Sequence, residues 1–325
     1  SPFSEVEPMH SATLRRATLT DAPVQRLPAR PLAAAVASTA DFDGKVVALH
    51  APRAQTRAPI DDSSRQENGR LVRLFGVDLY DTTLVDAARW LVHRAALAMP
   101  TTAAFINAHC VNVMFDDVAY RNAVEDCDRL FADGSGTRIA ARTVGVQLTD
   151  NVNGTDLFPV LCAEAARAGT RIYLLGGRDG VSERTARRMI QQFPDLAITG
   201  SASGYFIDAA EEERTIAAIN ASGAQIVLVG LGVPRQERWI ARNRSKLRAP
   251  VLVGVGGLFD YYSGRLPRAP RALRKMGLEW TWRLAMEPRR LASRYLIGNA
   301  RFLARLAWLH LLSPDDFDQS RVARR

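Results

Sequence analysis

From about residue 71 to residue 260 the chain alternates short apolar, β-branched runs with helix-length amphipathic runs, and this rhythm restricts its fold more than any other feature. The apolar runs are AAFIN (103–107), DRLFAD (128–133), RIYLLGG (171–177), LAITG (196–200), QIVLVGLG (225–232) and VLVGVGG (251–257). Helical patterns lie between them, near 83–98, 111–125, 135–143, 155–168, 180–193, 209–222 and 234–247. A strand that is apolar throughout needs cover on both faces, and intervening helices supply it. The expected fold is therefore α/β and Rossmann-like: a mostly parallel sheet over 71–260 with helices on both faces.

The flanks read differently. Residues 1–70 hold seven of the sixteen prolines and no sustained period, so they read as a disordered or poorly ordered extension, with one short strand pattern at 45–50. Residues 261–312 read as a basic helical appendage and 313–325 as a tail. Pro267 and Pro270 break the chain, and helices are expected at 271–286 and 289–311 with Pro288 between them.

The net charge of +9 is concentrated in that appendage, where eleven bases face only Glu279 and Glu287. Such a block implies an anionic partner: nucleic acid, an anionic membrane surface or a phosphorylated ligand. On an ideal helical wheel Arg290, Arg294, Arg301 and Arg305 form one stripe. Beside it runs a broad apolar face with Leu291, Tyr295, Phe302, Leu306 and Leu309. That suits a helix lying in a bilayer interface, and it equally suits a helix packed on the sheet with its arginines solvated.

Several classes are disfavoured. No window approaches the ~18–20 apolar residues of a helical membrane span. The first residues lack a basic-then-apolar leader pattern. Cys110, Cys127 and Cys162 form no C-x-x-C pair, which suits a reducing cytoplasm better than a disulfide scaffold or zinc ribbon. The G-x-G-x-x-G fingerprint, the P-loop and the G-x-S-x-G elbow are all missing, which weakens a nucleotide-dependent oxidoreductase, the rival enzymatic reading.

Ligands of open parallel sheets bind at the carboxyl ends of strands, where glycine lets a phosphate approach backbone N–H groups at a helix start. Three strands end this way, at Gly176-Gly177, at Gly230-Leu231-Gly232 before Pro234, and at Gly254 to Gly257. Asp133 closes another strand and is followed by Gly134-Ser135-Gly136. A carboxylate there can act as general base, or it can cap the next helix. Asn107 and His109 leave a neighbouring strand toward the same crevice. Asp126-Cys127-Asp128 has the D-x-D form that holds a metal in many sugar transferases, but it precedes its strand. No metal site is assigned, and no cofactor.

Taken together, these residues resemble the WecG/TagA/CpsF family of bacterial glycosyltransferases over about 71–297. The blocks that carry the likeness are FINAHCVNVMF (105–115), FADGSGTRIAAR (131–142), NGTDLFPVLC (153–162), IYLLGG (172–177), GYF (204–206), VGLGVPRQERWI (229–240), VGVGGLFDYYSGRLPRAP (253–270) and GLEWTWRLAMEPRRLASRYL (277–296). The early block looks more like the exopolysaccharide, GumM-like branch than the teichoic-acid branch, and it carries no threonine before Asn107.

The resemblance implies an inverting, metal-independent transfer from a UDP-sugar to an undecaprenyl-diphosphate-linked sugar. The enzyme would be cytoplasmic, peripheral on the inner face of the membrane, with no nucleic-acid partner; homo-oligomerisation stays open. It implies Asp133 as the base. It implies a donor site built from Gly134, Gly136, the glycine-ended strands (Gly176, Gly177, Gly230, Gly232, Gly256, Gly257), Pro234, Gln236, Glu237 and Asp260. It also implies that the appendage docks on the membrane and lends Arg283, Arg290 and Arg294 to catalysis.

Overall fold

The computed structural model describes residues 69–312; the 45–50 strand pattern, the rest of 1–68 and the 313–325 tail lie outside them. The chain opens with an antiparallel pair, β1 (Gly69–Leu74) and β2 (Val77–Thr82). There follow α1 (Leu84–Ala96), β3 (Thr101–Ile106), α2 (Ala108–Asp116), α3 (Val118–Glu125), β4 (Arg129–Ala132), α4 (Gly134–Thr143) and α5 (Gly154–Ala168). Next come β5 (Arg171–Gly176), α6 (Val181–Gln192), β6 (Ala197–Ala202), α7 (Ala209–Ala221), β7 (Ile226–Gly230), α8 (Arg235–Asn243), β8 (Val251–Gly254) and α9 (Leu258–Tyr262). The C-terminal arm holds α10 (Arg271–Lys275), α11 (Glu279–Met286), α12 (Pro288–Ala292) and α13 (Gly298–Leu312), with a π-helical turn at Ser293–Ile297 before α13.

One eight-stranded sheet runs β1-β2-β4-β3-β8-β7-β5-β6, parallel everywhere except at β1–β2. Leu91 of α1, Leu161 of α5, Met189 of α6 and Phe259 of α9 bury one face. On the other face lie Val111 of α2, Tyr120 of α3, Ala140 of α4, Ile219 of α7 and Trp239 of α8. The strand residues between them are buried on both sides, as their unbroken apolar character predicts. Among the described residues no helix is long and apolar enough to cross a membrane.

Four features depart from expectation. The first two strands were not anticipated, and the sheet begins inside the expected extension, at Gly69. Their hairpin turns on Phe75-Gly76, both at positive φ (58° and 79°), instead of the Asn-Gly or Asp-Gly that marks such turns. A left-handed phenylalanine costs ~1–2 kcal/mol. Phe75 offsets this by packing its buried ring on Phe302, centroids 5.6 Å apart. Second, the single helix expected at 111–125 is two. Asp117 ends one, caps the other by accepting from the Tyr120 amide (3.0 Å), and pairs with Arg238 of α8.

Third, the arm is more broken than its pattern suggests. Gly277, at φ +72°, separates α10 from α11, and Pro288 opens α12 as its first residue. The π turn then changes the helical phase, so an ideal wheel fails across it. Fourth, the apolar face of the arm divides. Leu291, Phe302, Leu306 and Leu309 are buried, the last three against α2 and the β1–β2 end of the sheet. Leu296, Ile297, Leu303 and Trp308 remain exposed.

Candidate active site

Asp133 leaves the carboxyl end of β4 at the N-cap position of α4, yet its side chain makes no capping hydrogen bond. Its Oδ2 instead accepts from Asn107 Nδ2 at 2.9 Å. Asn107 caps α2, its Oδ1 accepting from the backbone of His109 (3.1 Å) and Cys110 (3.2 Å). One amide thus fixes a helix start and aims a carboxylate. Burial pushes the Asp133 carboxyl above the usual carboxylate range; the Asn107 hydrogen bond and the charges of Arg294 and Arg283 oppose the rise. Burial, helped by Arg294, brings His109 down to about 4, so its ring is neutral at pH 7.

The glycines divide into two groups. A side chain at Gly176 would strike the backbone of Gly230 (2.5 Å), one at Gly177 would strike Val181 (2.7 Å), and one at Gly230 would strike Phe259 (2.8 Å). The Gly177 amide is already given to the Gly230 carbonyl (3.3 Å). Gly136 has Ala108 (2.9 Å) and Phe302 (3.4 Å) where a Cβ would go. At these four positions a side chain would strike its neighbours, so close packing alone already requires glycine. At Gly134, Gly232 and Gly256 nothing lies within 4 Å, so these positions leave room for a ligand. Their amides, however, are held by side chains: Gly134 by Asn151 Oδ1 (2.7 Å), Gly232 and Gly256 by Gln236 Oε1 (3.2 and 2.8 Å).

Gln236 is therefore a clamp. It is 3% exposed, joins the loops after β7 and β8, and donates from Nε2 to Glu237 Oε1 (2.8 Å). Glu237 is buried beside it, and its carboxyl is pushed up to about 7 by burial. Both side chains are buried, with Gln236 committed to the two loops and Glu237 to Gln236. Pro234, joined to Val233 by a cis peptide bond, caps α8 just before them. Asp260 is neutralised by Arg265 (2.8 Å).

These amides are engaged within the protein, and the C-terminal arm carries a group of arginines. Most of its arginines are matched to acids: Arg268 and Arg274 to Asp156, Arg265 to Asp260 and Glu287, Arg290 to Glu287, Arg301 and Arg305 to Asp116. Arg271 and Arg289 are exposed and without an ion pair among the described residues; Arg283 and Arg294 differ from all of these. Both are part-buried, and among the described residues neither has an ion pair or hydrogen bond; they lie over the rings of Tyr261 and Tyr295. Arg283 also fills the space beside Gly257, where a Cβ would lie 2.6 Å from its guanidinium. Arg290 is exposed and stays with Glu287, whereas the charges of Arg294 and Arg283 act on Asp133.

Sequence reasoning did not single out Asn151, whose side chain holds the first amide of α4; its setting in an Asp-Asn-Val-Asn-Gly stretch was the available signal. Asp128 accepts from Thr102 at the amino end of the sheet, the opposite edge from Asp133. Among the described residues no three His, Cys, Asp or Glu side chains converge to hold a metal ion. The sequence profile of the glycosyl transferase WecG/TagA/CpsF family matches residues 72–315.

Proposed function

Because the chain belongs to the WecG/TagA/CpsF family of glycosyl transferases, we propose that it transfers a sugar from a UDP-sugar to a sugar on a polyprenyl diphosphate, at the inner face of the membrane. The observation that carries this reading is the pair of unneutralised, part-buried guanidiniums, Arg283 and Arg294, beside the Asn107–Asp133 hydrogen bond. An anionic diphosphate is the ligand that would complete them.

In the proposed reaction the ionised Asp133 takes the proton of the acceptor hydroxyl. That oxygen bonds to the anomeric carbon while the bond from that carbon to the UDP oxygen breaks, inverting the centre. UDP leaves with added negative charge, which Arg283 and Arg294 stabilise. Asn107 keeps one carboxylate oxygen engaged, leaving the other for the proton. A well-placed base contributes ~10²–10⁴ in rate.

The half-exposed side chains of Leu303 and Trp308, with the more exposed Leu296 and Ile297, support docking of the arm on a membrane. The matched arginines count against the nucleic-acid reading, since three of the four stripe arginines, Arg290, Arg301 and Arg305, are paired with acids. Asp133→Asn tests the assignment. UDP release from UDP-glucose, UDP-N-acetylmannosamine or UDP-glucuronic acid, with a lipid-linked acceptor, should fall at least ~100-fold while UDP binding persists. Turnover near that of the parent would remove Asp133 from the mechanism.

A further inference from the structure

We propose that the outer face of α4, a helix of the sheet domain and not of the arm, rests on anionic lipid headgroups; the inference rests on the reading above that the acceptor lies in a membrane. α4 (Gly134–Thr143) starts where Asp133 leaves the sheet. At ~100° per residue, Ser135, Arg138, Ile139 and Arg142 fall within about 100° of arc. Thr137, Ala140 and Ala141 take the opposite side and are buried. Arg138, Ile139 and Arg142 are exposed, Ile139 to 43%. The helix contains no acidic residue, and among the described residues neither arginine has an ion pair or a hydrogen bond.

A singly exposed isoleucine is ordinary. This one stands beside two unmatched guanidiniums, whereas Asp116, Asp156 and Glu287 take up most of those in the arm. Ile139 and the arginine stems can enter a headgroup layer while the guanidiniums stay with its phosphates. The surface also runs on into the arm on two sides. Gly136 packs on Phe302 of α13, where a Cβ would lie 3.4 Å from the ring, and the next residue, Leu303, is half-exposed. Gly277, between α10 and α11, approaches Ser135, a Cβ there lying 3.3 Å from that of the serine, and the adjoining Met276 is 68% exposed. Unmatched positive charge fits an anionic partner, and a bilayer also takes in Ile139, Leu303 and Met276, for which a nucleic-acid duplex has no apolar layer.

The place of α4 gives the contact its purpose. Its ten residues span ~15 Å, with Asp133 at one end. When the outer face lies on headgroups, the strand end that carries Asp133 is held near the level where the diphosphate of a polyprenyl carrier leaves the bilayer. The arm alone would tether the molecule to the surface. A second contact, on the helix that follows Asp133, fixes the tilt of the sheet domain against it.

The test is sedimentation of the full-length chain with vesicles of phosphatidylcholine, with and without phosphatidylglycerol. The parent should bind the mixed vesicles. The double variant Arg138→Gln, Arg142→Gln should bind them about thirtyfold more weakly, at about fivefold for each basic residue near an anionic surface. On phosphatidylcholine alone the two proteins should coincide, and so should their melting temperatures, because both side chains lie outside the core. A double variant that binds the mixed vesicles like the parent would overturn the α4 contact and leave the membrane reading standing. An equal loss on both kinds of vesicle would overturn it too, since charge would not be what the contact uses. Inorganic pyrophosphate and a DNA duplex should bind parent and double variant alike. A loss of either in the variant would put a phosphate ligand or nucleic acid on α4 and overturn the proposal. Failure of the parent to bind the mixed vesicles would overturn the membrane reading and the α4 contact together.

Discussion

Replacing Glu237 by Gln should convert a pH-dependent fold into a less dependent one. Glu237 is 1% exposed; Oε1 accepts from Gln236, and the buried Oε2 has no hydrogen-bond partner among the described residues. Burial raises its carboxyl from 4.5 to about 7. Between those values the unfolded chain has released the proton and the native chain still holds it. Native stability therefore falls as pH rises through this window and levels off above about 7. At about 1.4 kcal/mol per pH unit, the loss is about 3 kcal/mol. Glutamine keeps an acceptor for Gln236 and cannot ionise. Urea unfolding of both proteins from about pH 5 to about pH 8 should show the variant gaining about 3 kcal/mol on the parent. The comparison must be of differences. His109, depressed to about 4, contributes stability that grows as pH rises toward 6.5, opposite in sign, and it cancels between the two proteins. A gap that stays constant with pH would show that Glu237 does not change protonation here, and the reasoning would fall.

Other outcomes follow from the same geometry. Asn107→Ala removes the α2 cap, costing ~1 kcal/mol in denaturant unfolding. It also removes a hydrogen bond that stabilises ionised Asp133, so the acid limb of the pH–rate profile should move to higher pH. Replacing Leu296, Leu303 and Trp308 by Ser should abolish sedimentation with phosphatidylglycerol vesicles and leave the melting temperature unchanged. Each is more than half exposed, with ~1 kcal/mol apiece to gain in an interface, together about a hundredfold in partitioning. Phe302→Ala should do the reverse, costing ~3–5 kcal/mol of stability because the ring is buried against Phe75.

Six strands were legible because each is a short apolar run bounded by glycine or charge, a pattern that survives any tertiary context. β1 and β2 were not, because their turn depends on a phenylalanine in a glycine-like conformation, stabilised by a ring 227 positions away in the chain. Asp133 and Asn107 were legible as strand-end polar residues, but the hydrogen bond between them depends on β3 and β4 being neighbours. The glycines were legible only as glycines. Gly176 and Gly232 look alike in sequence, and only three dimensions separate the one packed on backbone from the one with open space. Likewise, a count of arginines cannot reveal that Asp116 and Asp156 silence four of them while Arg283 and Arg294 go unmatched.

One short rod ties the two halves of the molecule together. Asn107 sits at the start of α2. At its middle Asn112 holds the Gly298 carbonyl (2.7 Å), and at its last residue Asp116 grips Arg301 and Arg305 of α13. Nine residues of helix span only ~14 Å. If the arm seats on a lipid surface and Asp133 is the base, as proposed, a pull there would reach the carboxylate through a strut too stiff to absorb it.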